Sequence, residues 1–210
     1  MKMVESGHII ETPLFMLGTT MLKAIEDAGR TCYKSESAVT DDSALEFVKR
    51  IIKNGHHSVL EHQSISVRFI CDRGVTHEIV RHRLASYSQE STRYCNYGTG
   101  RFGNQVTYVV PTFQLDEDDL ILLEAIEKHY MKCIEHGRTA QEARYFLPNG
   151  LKTEIVMTCN LREWRHFFML RAASRAAHPQ MRALAIPLLA ELKALVPVVF
   201  DDIVLDEDRV

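Results

Sequence analysis

The sequence predicts an α/β fold: one domain over residues 1–210, with a mixed or largely antiparallel sheet flanked by helices. Three observations carry this expectation. Residues 64–71 and 153–159 alternate apolar and polar side chains with period two, as half-buried strands do. Around them lie segments in which apolar residues recur at helical spacing. Strands and helices interleave along the chain with crossovers of uneven length, which favours antiparallel pairing. At 210 residues, 46% hydrophobic and 25% charged, the chain has the composition of one soluble domain. A domain of that size buries roughly 70% of its unfolded surface without disulfides or metals.

The elements follow in order. Residues 8–15 are read as a short strand. Thr19 or Thr20 is placed to cap a helix reaching Tyr33, with Met21, Leu22, Ile25 and Ala28 on one side. Asp41 or Asp42 caps the next, in which Leu45, Val48, Ile51 and Ile52 repeat until Gly55 stops it. Residues 55–62, Gly-His-His-Ser-Val-Leu-Glu-His, hold three histidines and a glutamate; the spacing matches no standard structural zinc site, so they read as polar residues of a loop and helix start. After the strand at 64–71, Gly74 is expected to break the chain and 75–84 to form a short helix. His77 and His82 would lie about 140° apart on it and could not share a metal as an i, i+4 pair does. Glu78 and Arg81 would be neighbours suited to a surface ion pair.

Gly98, Gly100 and Gly103 form a flexible segment without a dinucleotide fingerprint. Residues 106–110 read as a strand closed by Pro111. Acidic residues at 116–119 suit the start of a long helix striped by Leu120, Leu123, Ile126, Tyr130 and Ile134 and ended by Gly137. Thr139 and Glu142 form a capping box for the next helix, which finishes at Arg144-Tyr145-Phe146-Leu147-Pro148. The strand at 153–159 leads into a helix over 160–171, with Leu161, Trp164, Phe168 and Leu170 as its core face. Asn160 and Arg171, eleven residues apart, share a side if that helix is continuous. Arg162, Arg165, Arg171 and Arg175 would on their own make a solvated face. Residues 178–200 form a further helix containing Pro187, and the acidic tail 201–210 is an edge or frayed end.

Charge and cysteine usage narrow the function. Lys plus Arg number 25 against 28 Asp plus Glu, a net −3, which argues against a general nucleic-acid binder and leaves local basic clusters for small anions. Five cysteines, an odd number without Cys-x-x-Cys, fit a reducing cytoplasm rather than a disulfide scaffold or zinc ribbon. The N-terminal residues lack a signal-peptide core. The apolar region 183–200 is interrupted by Glu191, Lys193 and two prolines, so it reads as a buried helix and its exit, not a membrane span.

The densest chemistry lies in residues 81–94, Arg-His-Arg-Leu-Ala-Ser-Tyr-Ser-Gln-Glu-Ser-Thr-Arg-Tyr. Ser91-Thr92-Arg93 offers two hydroxyls, backbone N–H groups and a guanidinium to one anion, the set a phosphate monoester needs. The spacing Arg81, His82, Arg83, Ser86, Ser91, Arg93 resembles the signature of the flavin-dependent thymidylate synthases. Two further stretches resemble that family: Gly55, His56, Ser58, Glu61 and His62, with one extra residue after the first histidine, and Asn160, Arg162 and Arg171.

The resemblance implies reductive methylation of dUMP to dTMP, with 5,10-methylenetetrahydrofolate as carbon donor and FAD, reduced by NADPH, as hydride source. It places Ser58, Arg81, His82, Arg83, Gln89, Asn160, Arg162 and His166 at the flavin, with His56 beside them. It places Glu78, Arg81, Gln89, Glu90, Ser91, Thr92, Arg93, Arg144 and Arg171 at dUMP, Arg171 as the catalytic cation beside the uracil. It implies a homotetramer with shared active sites, no metal, and no catalytic role for any cysteine. Glu78, Gln89 and His166 stand where the family often has Gln, Glu and Asn. Two other readings remain open on the residues alone. One is a single-stranded nucleic-acid module using Arg81, Arg83, Arg93 and Arg101 with Tyr87, Tyr94 and Tyr97 as stacking platforms, which the net charge disfavours. The other is a non-catalytic helical assembly protein.

Overall fold

A computed structural model describes residues 1–207. The chain runs β1 (Lys2–Val4), β2 (Gly7–Ile10), α1 (Thr19–Thr31), α2 (Ser43–Lys53), β3 (Ser64–Asp72), α3 (Arg73–Ile79), β4 (Ala85–Gln89), β5 (Thr107–Val109), α4 (Glu117–Glu135), α5 (Ala140–Ala143), β6 (Lys152–Asn160), α6 (Leu161–Phe168) and α7 (Pro179–Leu195). Short 3-10 turns include His57–His62 and Arg144–Phe146, and one π-helical turn spans Met169–Ala173. The fold is the mixed α/β type with antiparallel pairing that the sequence predicts. Four strands hydrogen-bond in the order β2-β3-β6-β4, and β1 runs parallel to β5 with Met3 opposite Tyr108.

The chain divides into two compact units. The first comprises Met1–Gly7, Phe69–Arg81 and Ser88–Val156; the second comprises His8–Arg68, His82–Tyr87 and the chain from Met157 onward.

In the first unit the core gathers Tyr97, Val106, Tyr108, Tyr130, Cys133, Ala143 and Leu151. α4 starts where the acidic run predicts. Asp116 accepts from the Asp119 N–H at 2.9 Å and Asp119 accepts from the Asp116 N–H at 3.1 Å, so two of the donors that a helix start leaves unpaired are met reciprocally. The Thr139–Glu142 capping box forms as expected and opens α5. The expectation for 75–84 is corrected. Asp72, not a glycine break, sets the start of α3: its carboxylate accepts from the Val75 N–H at 2.8 Å. Gly74 lies inside the helix, and the helix ends at Ile79, so the residues from Arg81 onward are off it.

In the second unit α1 is capped by Gly18 (φ 60°), which takes a backbone conformation that Thr19 or Thr20 would resist, and it ends at Thr31 rather than Tyr33. Gly29 lets α2 approach: a Cβ there would sit 2.5 Å from the Phe47 ring. Asp42 precedes α2 without a side-chain capping bond. Ser43 instead donates to fully buried Glu26 at 2.8 Å, and Arg30 pairs with the same carboxylate at 2.6 Å, so its charge is compensated. Trp164 on α6 donates its indole N–H to the Ile65 carbonyl at 3.0 Å and stacks on Phe168, which meets Phe200 edge-on. Leu170, expected in the core, is 46% exposed, because the π turn rotates it off the face that Leu161, Trp164 and Phe168 share. α7 carries Pro187 inside it, as expected. The tail is not simply frayed: Asp202 holds the two terminal guanidinium nitrogens of Arg165 at 2.7 Å, and the Arg175 N–H donates to Asp206. Residues 208–210 of the expected frayed end lie outside the described residues.

Candidate active site

The predicted residues fall into two polar clusters, one in each unit. In the first, β4 ends at Gln89 and the chain turns: the N–H groups of Tyr94 and Cys95 both donate to the Ser91 carbonyl. The turn folds the Arg93 N–H onto the Ser91 hydroxyl at 3.3 Å. Thr92 is buried, and its hydroxyl accepts from Arg144 Nη1 at 3.3 Å, so residues 52 apart in sequence meet. Arg93 is exposed, donates through Nε to Gln141 at 2.8 Å and lies over the Tyr94 ring. Two guanidinium groups and two hydroxyls are thus held by the turn and by α5, whose capping box fixes the element carrying Gln141 and leading into Arg144.

Glu90 is anchored from behind. Its carboxylate accepts from the Tyr97 hydroxyl at 2.7 Å and pairs with Lys152 at 3.2 Å, which also pairs with Glu154 at 2.6 Å. Burial pulls the Lys152 ammonium down, but the two carboxylates outweigh it and hold the group above its usual value. Burial and the Glu90 carboxylate push the Tyr97 phenol up, so it stays protonated and donates. Gln89 turns its amide N–H2 toward the hydroxyl of Thr76 at 3.1 Å. Glu78 is half-buried on α3, and Arg81 is exposed just past it.

The second cluster is built on α6 and the π turn after it. Asn160 caps α6, its carbonyl oxygen accepting from the Glu163 N–H at 2.9 Å. The assumption of a continuous helix to Arg171 is corrected, since Arg171 sits on the π turn. Such turns are frequent at functional sites. His82 is buried at 3% exposure, with Nδ1 3.1 Å from Glu163 and Nε2 3.2 Å from Arg171 Nε. Arginine only donates, so Nε2 accepts and the proton resides on Nδ1, directed at the carboxylate. The Tyr87 hydroxyl donates to the His82 carbonyl at 2.7 Å. Burial pushes the imidazole below its ordinary value of 6.5; the Glu163 hydrogen bond opposes this and the Arg171 charge adds to it. His82 is therefore neutral near pH 7.

His82, Glu163 and His166 each place one ligand atom within 4.8 Å of the others, a spacing that a metal ion could use. The hydrogen bonds argue otherwise. Both imidazole nitrogens of His82 are engaged, and a guanidinium adjoins where a cation would bind. His166 is exposed and meets the His82 ring edge-on.

A cavity of about 650 Å³ opens within this unit, lined among others by Glu61, Leu84, Asn160, Arg162, His166 and Met169. A second of about 400 Å³ is lined by His56, Ser58, Tyr33 and Phe47, and both reach His57 and Arg162. Exposed Arg162 pairs with Glu61 at 2.5 Å. The lining suits a large, partly aromatic anionic cofactor: apolar side chains for a ring system, with an arginine for charge and histidines as hydrogen-bonding groups. Arg83 is exposed.

Sequence reasoning missed Glu163, Gln141, Lys152 and the tie between Arg165 and Asp202. Glu163 is buried on α6 together with Arg165, among the apolar Leu161, Trp164, Phe167 and Phe168, and the residues around it in sequence do not separate it from exposed Arg162. Nothing local marks Asp202 as the partner of Arg165.

The family described as Thymidylate synthase complementing protein matches residues 16–198. A flavin-dependent thymidylate synthase of Geobacter sulfurreducens is 34% identical over 187 residues, covering 85% of this chain and 80% of the relative. Among solved structures, a UMP/dUMP methylase PolB from Streptomyces cacaoi bound with 5-Br dUMP superposes with a TM-score of 0.76 at 22% identity, covering 96% of each chain. A flavin-dependent thymidylate synthase of Helicobacter pylori complexed with FAD and dUMP superposes at 0.72 with 25% identity, covering 96% of this chain and all of that one. With a match across residues 16–198 and that degree of identity over most of the chain, this protein belongs to the flavin-dependent thymidylate synthase family.

Proposed function

We propose that the chain, taken as one enzyme domain over residues 1–210, converts dUMP to dTMP as an FAD-dependent methyltransferase. The observation that carries this reading is the Arg144 guanidinium brought onto Thr92, beside Ser91 and Arg93. Ser91, Thr92, Arg93 and Arg144 hold the phosphate monoester with short hydroxyl donors and two permanent cations. Glu90, pinned by Tyr97 and Lys152, keeps the turn in place and sets the acceptor side of the nucleotide site, with Glu78, Arg81 and Gln89 at its edge.

Arg171 faces the uracil and stabilises the negative charge that develops as C5 becomes nucleophilic. Its cation is permanent, so the charge is present at any working pH. FAD, when bound, supplies the hydride that completes the methyl group. Ser58, Arg81, Arg83, Gln89, Asn160, Arg162 and His166 would bind and orient it, and His82, buried with both ring nitrogens engaged, would shape that site through its neighbours rather than by a hydrogen bond of its own to the cofactor. Burial of His82 keeps water from the face behind Arg171. The carbon comes from 5,10-methylenetetrahydrofolate and the reducing equivalents from NADPH, both taken up as co-substrates. The enzyme is read as a cytoplasmic homotetramer with shared active sites; among the described residues no helix is long and apolar enough to cross a membrane.

The test is direct. Purified protein should be yellow or become so with FAD, and should form dTMP from dUMP only when methylenetetrahydrofolate and NADPH are both present. A colourless protein that FAD cannot reconstitute, and that yields no dTMP, overturns the reading.

A further inference from the structure

We infer that Glu163 is a positioning residue for Arg171, acting through the buried ring of His82. The inference rests on the proposed role of Arg171 and adds a residue that this role did not include. Glu163 is 5% exposed on α6 and projects its carboxylate at His82 Nδ1, 3.1 Å away. An ionised carboxylate accepts only, so it selects the imidazole with the proton on Nδ1. That choice leaves a lone pair on Nε2, and Arg171 Nε, 3.2 Å away, donates to it. With the proton on Nε2 instead, two N–H groups would face each other and the guanidinium would be turned aside.

The chain Glu163, His82, Arg171 thus hands one orientation from a helix to a side chain on the π turn that follows it. His82 itself is clamped: Tyr87 ties its carbonyl, and the ring packs edge-on against Phe167 at 5.0 Å. A guanidinium carries its five N–H donors in one plane, so a hydrogen bond at Nε sets the plane in which the whole group lies. That is the form in which it would meet a planar uracil.

The primary test reads the tautomer in the wild-type holoenzyme. Histidine labelled with 15N, its His82 signals assigned by their loss in His82→Gln, should show a protonated Nδ1 and an unprotonated, hydrogen-bond-accepting Nε2 at pH 7.5. A ring protonated on Nε2, or on both nitrogens, overturns the inference whether or not the variants fold.

The second test is kinetic. Glu163→Leu cannot accept the Nδ1 proton and should lower kcat on the order of ten- to a hundredfold with KM for dUMP little changed. Glu163→Gln keeps an acceptor oxygen and should recover part of that loss. Because the carboxylate raises the His82 pKa, the acid limb of kcat should move to lower pH in Glu163→Gln. A purely structural residue would lower thermal stability and flavin content together without moving that limb, and an unchanged limb with wild-type kcat overturns the proposal. If wild-type enzyme forms no dTMP, the functional reading has failed; if it forms dTMP with the wrong tautomer at His82, only this inference has.

Discussion

Thr92 and His82 are both buried polar side chains, at 5% and 3% exposure, and each accepts a hydrogen bond from an arginine, at 3.3 Å from Arg144 and 3.2 Å from Arg171. They differ in what stands behind the acceptor. Thr92 belongs to a surface turn, and exposed Arg93 beside it leans on the side-chain oxygen of Gln141. His82 is backed by a buried carboxylate, with aromatic rings around it. A phosphate is a fixed dianion that several donors share, so a site for it tolerates adjustment. Charge developing on a ring during reaction rewards donors that are already in place. The first cluster is therefore read as recognition and the second as chemistry.

The largest expected effect breaks the second cluster. Arg171→Ala should cut kcat for dTMP formation by ~10²–10³ or more, as removal of a preorganised donor does. Arg171 is half-buried on the π turn, so the variant should still fold and keep FAD, with a melting temperature lowered by the loss of its hydrogen bond to His82. Retained turnover in a folded variant would remove Arg171 from the mechanism. Next comes the first cluster: Arg144→Ala or Arg93→Ala should raise KM for dUMP by about ten- to a hundredfold, the worth of one hydrogen bond to a charged group, with kcat nearly kept. A kcat defect of the same size would erase the distinction between the clusters.

The two regions also differed in how far the sequence revealed them. Ser91, Thr92 and Arg93 are adjacent, so their shared task was visible in a single line of residues. The strands β3 and β6 were visible because Ile65, Val67, Phe69 and Cys71, and Ile155, Met157 and Cys159, alternate into the core. β4 was not, since Ala85–Gln89 is polar and at most half-buried, leaving no hydrophobic period to detect. α3 was shifted because Gly74 was weighed as a breaker and the Asp72 cap was not. In the second cluster Arg171 and Asn160 were found by resemblance. Glu163 was passed over because a carboxylate among arginines reads as surface charge, and burial, the property that gives it meaning, belongs to the tertiary structure. Arg165 was placed on a solvated face for the same reason, its partner Asp202 lying 37 residues away.

The third prediction separates the clusters by pH. The folded state holds His82 neutral below its ordinary value of 6.5, with burial as the main cause. Above 6.5 both folded and unfolded chains carry it neutral, and its contribution is fully present. As pH falls through 6.5 the unfolded chain takes up the proton first, so stability declines from there down to the lowered folded value. Protonation would also remove the acceptor for Arg171, so kcat should fall only at the acid end of that range, where the folded chain itself takes up the proton. The guanidinium groups of the first cluster do not titrate there. Denaturation midpoints at pH 8 and pH 5.5, compared between wild type and His82→Gln, check this: the variant should lose part of the acid sensitivity, and equal sensitivity would exclude His82 as its source.

The smallest effect tests whether the first cluster depends on its scaffold. Thr139 and Glu142 cap α5, the four-residue helix that carries Gln141 and leads into Arg144. Thr139→Ala removes the hydroxyl that accepts from the Glu142 N–H at 3.3 Å and donates to the Glu142 carboxylate at 2.8 Å. The expected cost is ~1 kcal/mol of stability. So short a helix has little else to hold its first turn, and the loosening should reach Gln141 and through it Arg93. KM for dUMP should then rise a few-fold while kcat and the acid limb set by His82 stay where they were. Should Thr139→Ala lower kcat instead, α5 would have to serve the chemistry, and the assignment of the Ser91–Arg93 turn to recognition alone would fail.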